Sequence, residues 1–571
     1  MKKDGPSQQA ARALLERASK GGDGAVLAAR RAAVIAERSD PNLAQEALRL
    51  IARLEPLDAQ PRLALARLAA EQGDLAGAAQ EAEAVLNEAV DQAARARAAF
   101  ILGELARVQR QYERARTAYR ATLIIEDELL ASDRSNVTAA RWYARARGRL
   151  AELDAVAGNF GPARTGAEGA LAMLRAAAAQ SGEPPVLAAD IADAEMRLAA
   201  IELDEGQASS ARRRLAEAIG RYEALAATEK DEPHWRAVLS DAWALAAEAD
   251  YVRGAKDAAR AAMDKALQAR LRLAARYPQE AWALAGTWRV RAALRAALGD
   301  ADAAADSLRQ ARALAETLVA NAGNAEAPIR FLVHTLLDQA DHALRTADLE
   351  CAREAADAAR QRSEPFAQAT NAPPAWLAET AAAWDRLGEA ARMAGAKAPT
   401  QDAFARALEL RRMALDRAPQ EVRYRRGVAA ALLKLGDAAM EAGALSSARA
   451  AFNESVAIRL QLAEAAPDDK RAAKALAAAL ERVGLAALTS GDRNAARGAW
   501  EDELHLADRI FPADDLDGAR FRATVETHLA GLGGADAEMH RLAALAHYDV
   551  LAKAGVLTER EAATRRRLWG G

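Results

Sequence analysis

One spacing limits what this chain can fold into more than any other property: a pattern of small and large residues returns every 48 positions. The segment LGDAAMEAGALSSARAAFNESVAIR (435–459) is echoed by VGLAALTSGDRNAARGAWEDELHLA (483–507), with Gly443 and Gly491 in matching places. Carried toward the N-terminus, the register meets Gly395, Ala347, Gly299, Gly254, Gly206, Gly158, Arg110 and Gly73. The gaps are 48 residues, except 45 before Gly299 and 37 before Arg110. A period of this length implies stacked copies of one supersecondary unit instead of a single central core.

Two further columns keep the same register. Seven residues before each of these positions stand Ala66, Gly103, Ala151, Ala199, Ala247, Ala292, Ala340, Gly388, Gly436 and Gly484. Five residues after stand Ala78, Ala115, Ala163, Ala211, Ala259, Ala304, Ala352, Thr400, Ala448 and Ala496. Small residues let two helix backbones approach at a crossing, and Gly at a helix end supplies the left-handed conformation that stops it. The register therefore predicts a helical hairpin turning at each Gly position. Large residues surround the small ones: Trp243, Trp288, Leu336, Trp384, Leu432 and Leu480 eleven before the turn, and Tyr119, Leu215, Met263, Leu308, Phe404, Phe452 and Trp500 nine after it. With about six residues given to connections, each hairpin has two helices of about 20 residues and ~30 Å. Breakers mark where second helices stop: Pro233, Pro278, Pro373, Pro374, Pro419, Pro467, Gly182-Glu183-Pro184-Pro185 and Asn321-Ala322-Gly323-Asn324.

Composition agrees. Apolar content is dominated by Ala, the best helix former, and no alternating β-branched run supports a strand. The 78 basic and 81 acidic residues nearly cancel, which is not the footprint of a nucleic-acid binder. No apolar run of signal-peptide or membrane-spanning length is found, and the single Cys351 fits a reducing compartment. The expectation is a soluble, cytoplasmic protein.

The joint pattern resembles the tetratricopeptide (TPR) repeat. Trp384-Leu387-Gly388-Gly395-Phe404 matches it with Thr400 in place of the usual Ala, and Leu432-Leu435-Gly436-Gly443-Ala448-Phe452 matches throughout. The resemblance covers roughly residues 55 to 510. It implies an all-α, right-handed superhelical solenoid of about ten antiparallel helix pairs. The departure is length, 48 residues against 34, and long variants of this kind resemble the TPR arrays of bacterial signalling proteins. Residues 1–55 read as N-terminal capping helices, a degenerate repeat and a half broken at Gly21-Gly22 and Ser39-Asp40-Pro41. Residues 56–511 read as the repeats and 512–571 as C-terminal capping helices. In the last of these, 516–532 and 535–553 pair around Gly533-Gly534, and a short basic helix spans 558–568.

Catalytic patterns are missing: there is no GxxxxGK[ST], HExxH, CxxC or GxSxG. Gly531-Leu532-Gly533-Gly534 has no preceding strand and reads as a turn. Cys351 with His342 reads as packing and not as a nucleophile with its base. His540 and His547, with Glu538 nearby, make a poor metal site and read as partly exposed surface histidines. Trp243, Trp288 and Trp384 read as core, not as a stacking platform. The expectation is no enzyme and no catalytic, cofactor or metal site.

For a partner, the resemblance implies a concave groove lined by first helices. Six residues before the turns stand Arg67, Glu104, Glu152, Ala200, Glu248, Ala293, Asp341, Glu389, Asp437 and Leu485. Two before, Glu71, Asp204 and Glu441 are diluted by Val108, Val156, Val252 and Arg345. Glu104, Glu152, Glu248, Asp341, Glu389 and Asp437 are thus the candidate partner-binding residues, for a protein segment rich in Lys or Arg. Six after the turns, Arg116, Arg164, Arg212, Arg260, Arg353, Arg449 and Arg497 read as a solvated face paired locally with acids. The Lys and Asn set of the family's carboxylate clamp is lacking. A protein-interaction scaffold or adaptor is the leading expectation, and a regulatory or sensing arm of a bacterial signalling system is the alternative.

Overall fold

All ten turn positions of the register lie in the left-handed region. Eight are Gly with φ between 75° and 89°, and the two exceptions, Arg110 and Ala347, both sit at φ 58°. These two are the only non-glycine residues with positive φ among the described residues, each strained by roughly 1–2 kcal/mol relative to Gly. In all ten turns the amide after the turn residue donates to the carbonyl five residues back, as Asn159 does to Asp154 and Asp492 to Ala487. That bond satisfies a carbonyl left open at the end of the first helix.

The computed structural model describes residues 6–22, 24–36, 40–228, 233–322, 325–466, 469–512 and 514–570. Ser39, Gly323, Asn324 and Pro467, named above as breakers, lie outside them. No strand occurs among the described residues.

Contacts divide the chain into two units. The first, residues 1–303 with 320–327, holds α1 (Pro6–Ser19), α2 (Ala25–Ala36), α3 (Pro41–Leu54), α4 (Gln60–Glu71), α5 (Leu75–Glu88), α6 (Gln92–Val108), α7 (Tyr112–Ser132), α8 (Val137–Ala157), α9 (Phe160–Ser181), α10 (Pro185–Asp204), α11 (Ala208–Thr228), α12 (Pro233–Val252), α13 (Lys256–Arg276) and α14 (Ala281–Ala297). The second, residues 304–319 with 328–571, holds most of α15 (Ala301–Ala322) and α16 (Glu326–Arg345), then α17 (Leu349–Ala367), α18 (Pro374–Met393), α19 (Lys397–Arg417), α20 (Val422–Ala442), α21 (Leu445–Ala465), α22 (Lys470–Thr489), α23 (Arg493–Ile510), α24 (Leu516–Gly531), α25 (Ala537–Lys553) and α26 (Glu559–Trp569). Within full 48-residue repeats the helices have 18 to 22 residues, as α8, α9, α20 and α23 show. The 37-residue gap is filled by the shorter α5 and α6, of 14 and 17 residues. Pro185, Pro233 and Pro374 are the first residues of α10, α12 and α18, so they act by starting the next helix as much as by stopping the last.

In each unit a second helix packs on its own first helix and on the first helix of the following repeat. Among the described residues neither unit has a single central core. Apolar clusters are shared by neighbouring helices, most often three in succession, as Leu408 of α19, Leu432 of α20 and Ala451 of α21 are. Every residue of the two small columns is buried.

The aromatic column explains which small residue is used. Tyr119, Phe404, Phe452 and Trp500 lie against Gly103, Gly388, Gly436 and Gly484, where an added methyl group would collide with the ring. Where the earlier position is Ala, the later one is Ala, Leu or Met, as in Ala199 with Leu215 and Ala247 with Met263. A ring at the later position thus occurs only over Gly, which trades a methyl for a ring at the crossing, whereas Ala66, Ala151 and Ala340 are matched with Ala82, Ala167 and Ala356.

The arginine column links neighbouring repeats. Arg116 pairs with Asp154 at 2.5 Å, Arg164 with Glu205 at 3.1 Å, Arg212 with Asp250 at 3.1 Å, Arg260 with Asp300 at 3.2 Å, Arg449 with Asp492 at 3.2 Å and Arg497 with Asp536 at 2.5 Å. These acids lie 38 to 43 residues further on, in or beside the next turn, whereas local pairing was expected. Arg353 has no such acid: the next turn reads Ala394-Gly395-Ala396, and among the described residues Arg353 makes no ion pair. Ala396 also begins α19 without a side-chain cap, where Asp492 caps α23. Ala396→Asp is expected to stabilise the protein by about 1–2 kcal/mol, most from the cap and the rest from Arg353. Urea unfolding should show the gain, with only the smaller part lost when Arg353→Ala is added.

Candidate partner-binding site

Positions nine, six and two before each turn share one face of a first helix, because they are three and four residues apart. The acids at minus six do not stand alone there. Glu104 meets Arg149 at 2.8 Å, Glu152 meets Arg197 at 2.6 Å, Asp341 meets Arg386 at 2.7 Å and Asp437 meets Arg482 at 3.0 Å. Each Arg lies 45 residues after its acid, nine before the next turn. Glu389 binds Arg392 of its own helix at 2.6 Å, and Arg392 reaches Glu441 at 3.2 Å. This basic column was missed in the sequence, although Arg149, Arg197, Arg386, Lys434 and Arg482 stand in the same register.

Environment sets the charge state of these acids. Burial works against the charge of Glu104, but Arg149 and Arg107 outweigh it and hold the carboxyl below its usual range. Burial dominates at Asp437 and raises its pKa despite Arg482. Glu248 differs from the other five. It is exposed and has no basic partner among the described residues, since the position 45 further on is Ala293. Desolvation by its neighbours and repulsion from Asp204 raise its pKa.

In the second unit this face carries a cleft of about 510 Å³. Three successive first helices bound it: α18 with Glu389 and Arg392, α20 with Lys434, Asp437, Met440 and Glu441, and α22 with Arg482 and Leu485. Phe404 and Phe452 close it from the second helices. Lys434 is 3.5 Å from the buried Asp385 and 5.8 Å from the Phe404 ring centre. The cleft therefore offers both charge signs above an apolar floor, within the size range of small binding sites.

The other candidates resolve individually. Cys351 packs beside Ala343, Ala352 and Ala390, with Gln339 3.6 Å from its Sγ. His540 corrects the expectation of a surface histidine: it is buried, its Nδ1 2.6 Å from Glu526 Oε2 across the α24–α25 contact. His547 is half-buried. Trp243, Trp288 and Trp384 are half-buried, with Lys265, Arg291 and Arg360 over their rings at 4.1, 5.5 and 5.4 Å. Gly533 and Gly534, at φ 68° and 112°, form the turn between α24 and α25. Among the described residues no group of three or more His, Cys, Asp or Glu could hold a metal ion, and no helix is long and apolar enough to cross a membrane.

No protein-family model and no curated protein matches the chain. Solved structures similar to it include BtubC (BKLC) from P. vanneervenii, with 19% identity and a TM-score of 0.35, covering 43% of this chain and 88% of that one. The apo form of RapI is 11% identical with a TM-score of 0.41, covering 71% of this chain and 98% of RapI. The APC/C hetero-tetramer Cut9-Hcn1 is 15% identical with a TM-score of 0.30, covering 90% of this chain and 92% of that one.

Proposed function

We propose that this protein is a TPR-like binding scaffold that takes a segment of a protein partner along its first-helix face. The observation that carries this reading is the cleft of the second unit, where three repeats contribute side chains to one opening. A partner Lys or Arg is placed beside Asp437 and Glu441, and its apolar neighbour against Met440, Leu485 and the Phe edges. The ion-pair ladder refines the acidic groove expected from the sequence. A basic partner gains little from Glu104, Glu152 or Asp341, whose side chains are only 27%, 28% and 36% exposed beside their arginines. Asp437 and Glu441 are also paired, with Arg482 and Arg392, but keep 41% and 49% exposed for a second cation. Glu248 is the acid of this column in the first unit most open to one.

The test is selection on a random peptide array. Peptides joining Lys or Arg to a large apolar residue should be enriched, and their binding should fall with rising salt. Asp437→Lys with Glu441→Lys should weaken it at least tenfold, with helicity by circular dichroism unchanged. Selection of peptides without basic residues, or indifference to the reversal, overturns the reading.

A further inference from the structure

Helix α25 buries His540, Ala544, Tyr548 and Leu551 and is crossed on a second side by α26, through Arg565 with Asp549 and Arg541 with the Leu568 carbonyl. Its remaining side is apolar and open. Met539, Leu542 and Val550 are 60%, 54% and 41% exposed, Ala546 lies exposed between them, and Trp569 at the nearby end of α26 is 66% exposed. Spacings of three, four and four residues put 539, 542, 546 and 550 on one stripe. An exposed stripe of this kind marks an interaction surface.

We propose that this stripe is the contact between two copies of the chain, paired antiparallel about a two-fold axis. Charge selects that occupant. Glu538 opens the stripe and remains 64% exposed while bound to Arg541. Lys553 closes it, exposed and without an ion pair among the described residues. The two lie 15 residues apart, about 22 Å along the helix. An antiparallel copy brings Glu538 of each chain to Lys553 of the other, twice over, and opposes the helix dipoles favourably. A parallel copy would put like charges together. Head-to-tail stacking on α1 has no apolar counterpart, because Gln9, Arg12, Glu16, Arg17 and Lys20 occupy its exposed face. Four large side chains per copy place the contact at the small end of specific interfaces, below about 1,200 Å² in total, so dimerisation in the micromolar range follows.

Sedimentation of the full chain across that range tests it. Wild type should shift from monomer to dimer and stop there. Leu542→Glu should raise the dissociation constant at least tenfold, and Glu538→Lys or Lys553→Glu alone should raise it severalfold. The double variant Glu538→Lys/Lys553→Glu should restore dimerisation, which no general surface stickiness would do. A wild type that stays monomeric, association continuing beyond the dimer, or failure of the double variant to recover overturns the proposal.

Discussion

Gly388→Ala should destabilise the second unit by about 2 kcal/mol, although Ala is the better helix former by about 1 kcal/mol. The new methyl would stand 2.6 Å from a Phe404 ring atom, and the ring is 1% exposed with no space to withdraw into. Overpacking of this kind costs about 1–3 kcal/mol, and the fixed ring puts the site at the upper end. Phe404→Leu alone should cost about 1–2 kcal/mol through the space it leaves. Together they recreate the Ala199–Leu215 arrangement of another repeat, so the double variant should lie within about 1 kcal/mol of wild type. Chemical denaturation of the four proteins measures the coupling. Simple additivity would show that the trade between methyl and ring is not what sets these two columns.

That pairing shows where sequence reading succeeds and where it stops. The turn column was legible because a left-handed residue ends each first helix, and even Arg110 and Ala347 were placed by register against their residue type. The buried small columns were legible because close crossings tolerate little else. Relations between columns were harder to see. The Gly–ring trade and the Glu104–Arg149 type of bridge link positions 16 and 45 residues apart, and neither produces a signal inside a helical window. The acidic column was visible, but its neutralisation depends on which way a long Arg side chain leans toward the next repeat. His540 was misplaced on the surface for a similar reason: its partner Glu526 comes from α24, and burial of a polar pair leaves no mark in periodicity.

Glu503 carries the second large effect, and it follows from the register. Twelve residues after the turn, the other repeats hold Ala, Ser, Thr or Val, and the hydroxyls of Thr122 and Ser455 donate to carbonyls of the facing helix. In α23 the position is Glu503, 2% exposed, with one carboxylate oxygen lacking any hydrogen-bond partner. Burial, aided by repulsion from Glu481 of α22, pushes its pKa up to about 9. An acid whose pKa is raised on folding holds its proton in the native state after the unfolded chain has released it. Its contribution is intact below the unfolded value near 4.3 and is lost as pH climbs to about 9. His528 of α24 opposes this in acid, since burial lowers its pKa and favours the folded state as pH rises toward about 6.5. Glu126 of α7, which burial raises to about 7, adds to the slope only until about pH 7. The part of the stability due to Glu503 should therefore fall by about 1.4 kcal/mol per pH unit, roughly 3 kcal/mol between pH 6.5 and 9. Glu503→Gln, which keeps the shape and removes the charge, should flatten that slope and leave the variant more stable than wild type by about 2–4 kcal/mol at pH 9. Hydrogen exchange of α22 to α24 reads the effect locally, as suits stacked repeats that can open one at a time. A wild-type slope unchanged by Glu503→Gln would mean that the carboxyl is ionised and solvated at neutral pH, and that the α22–α24 contact is looser than its packing indicates.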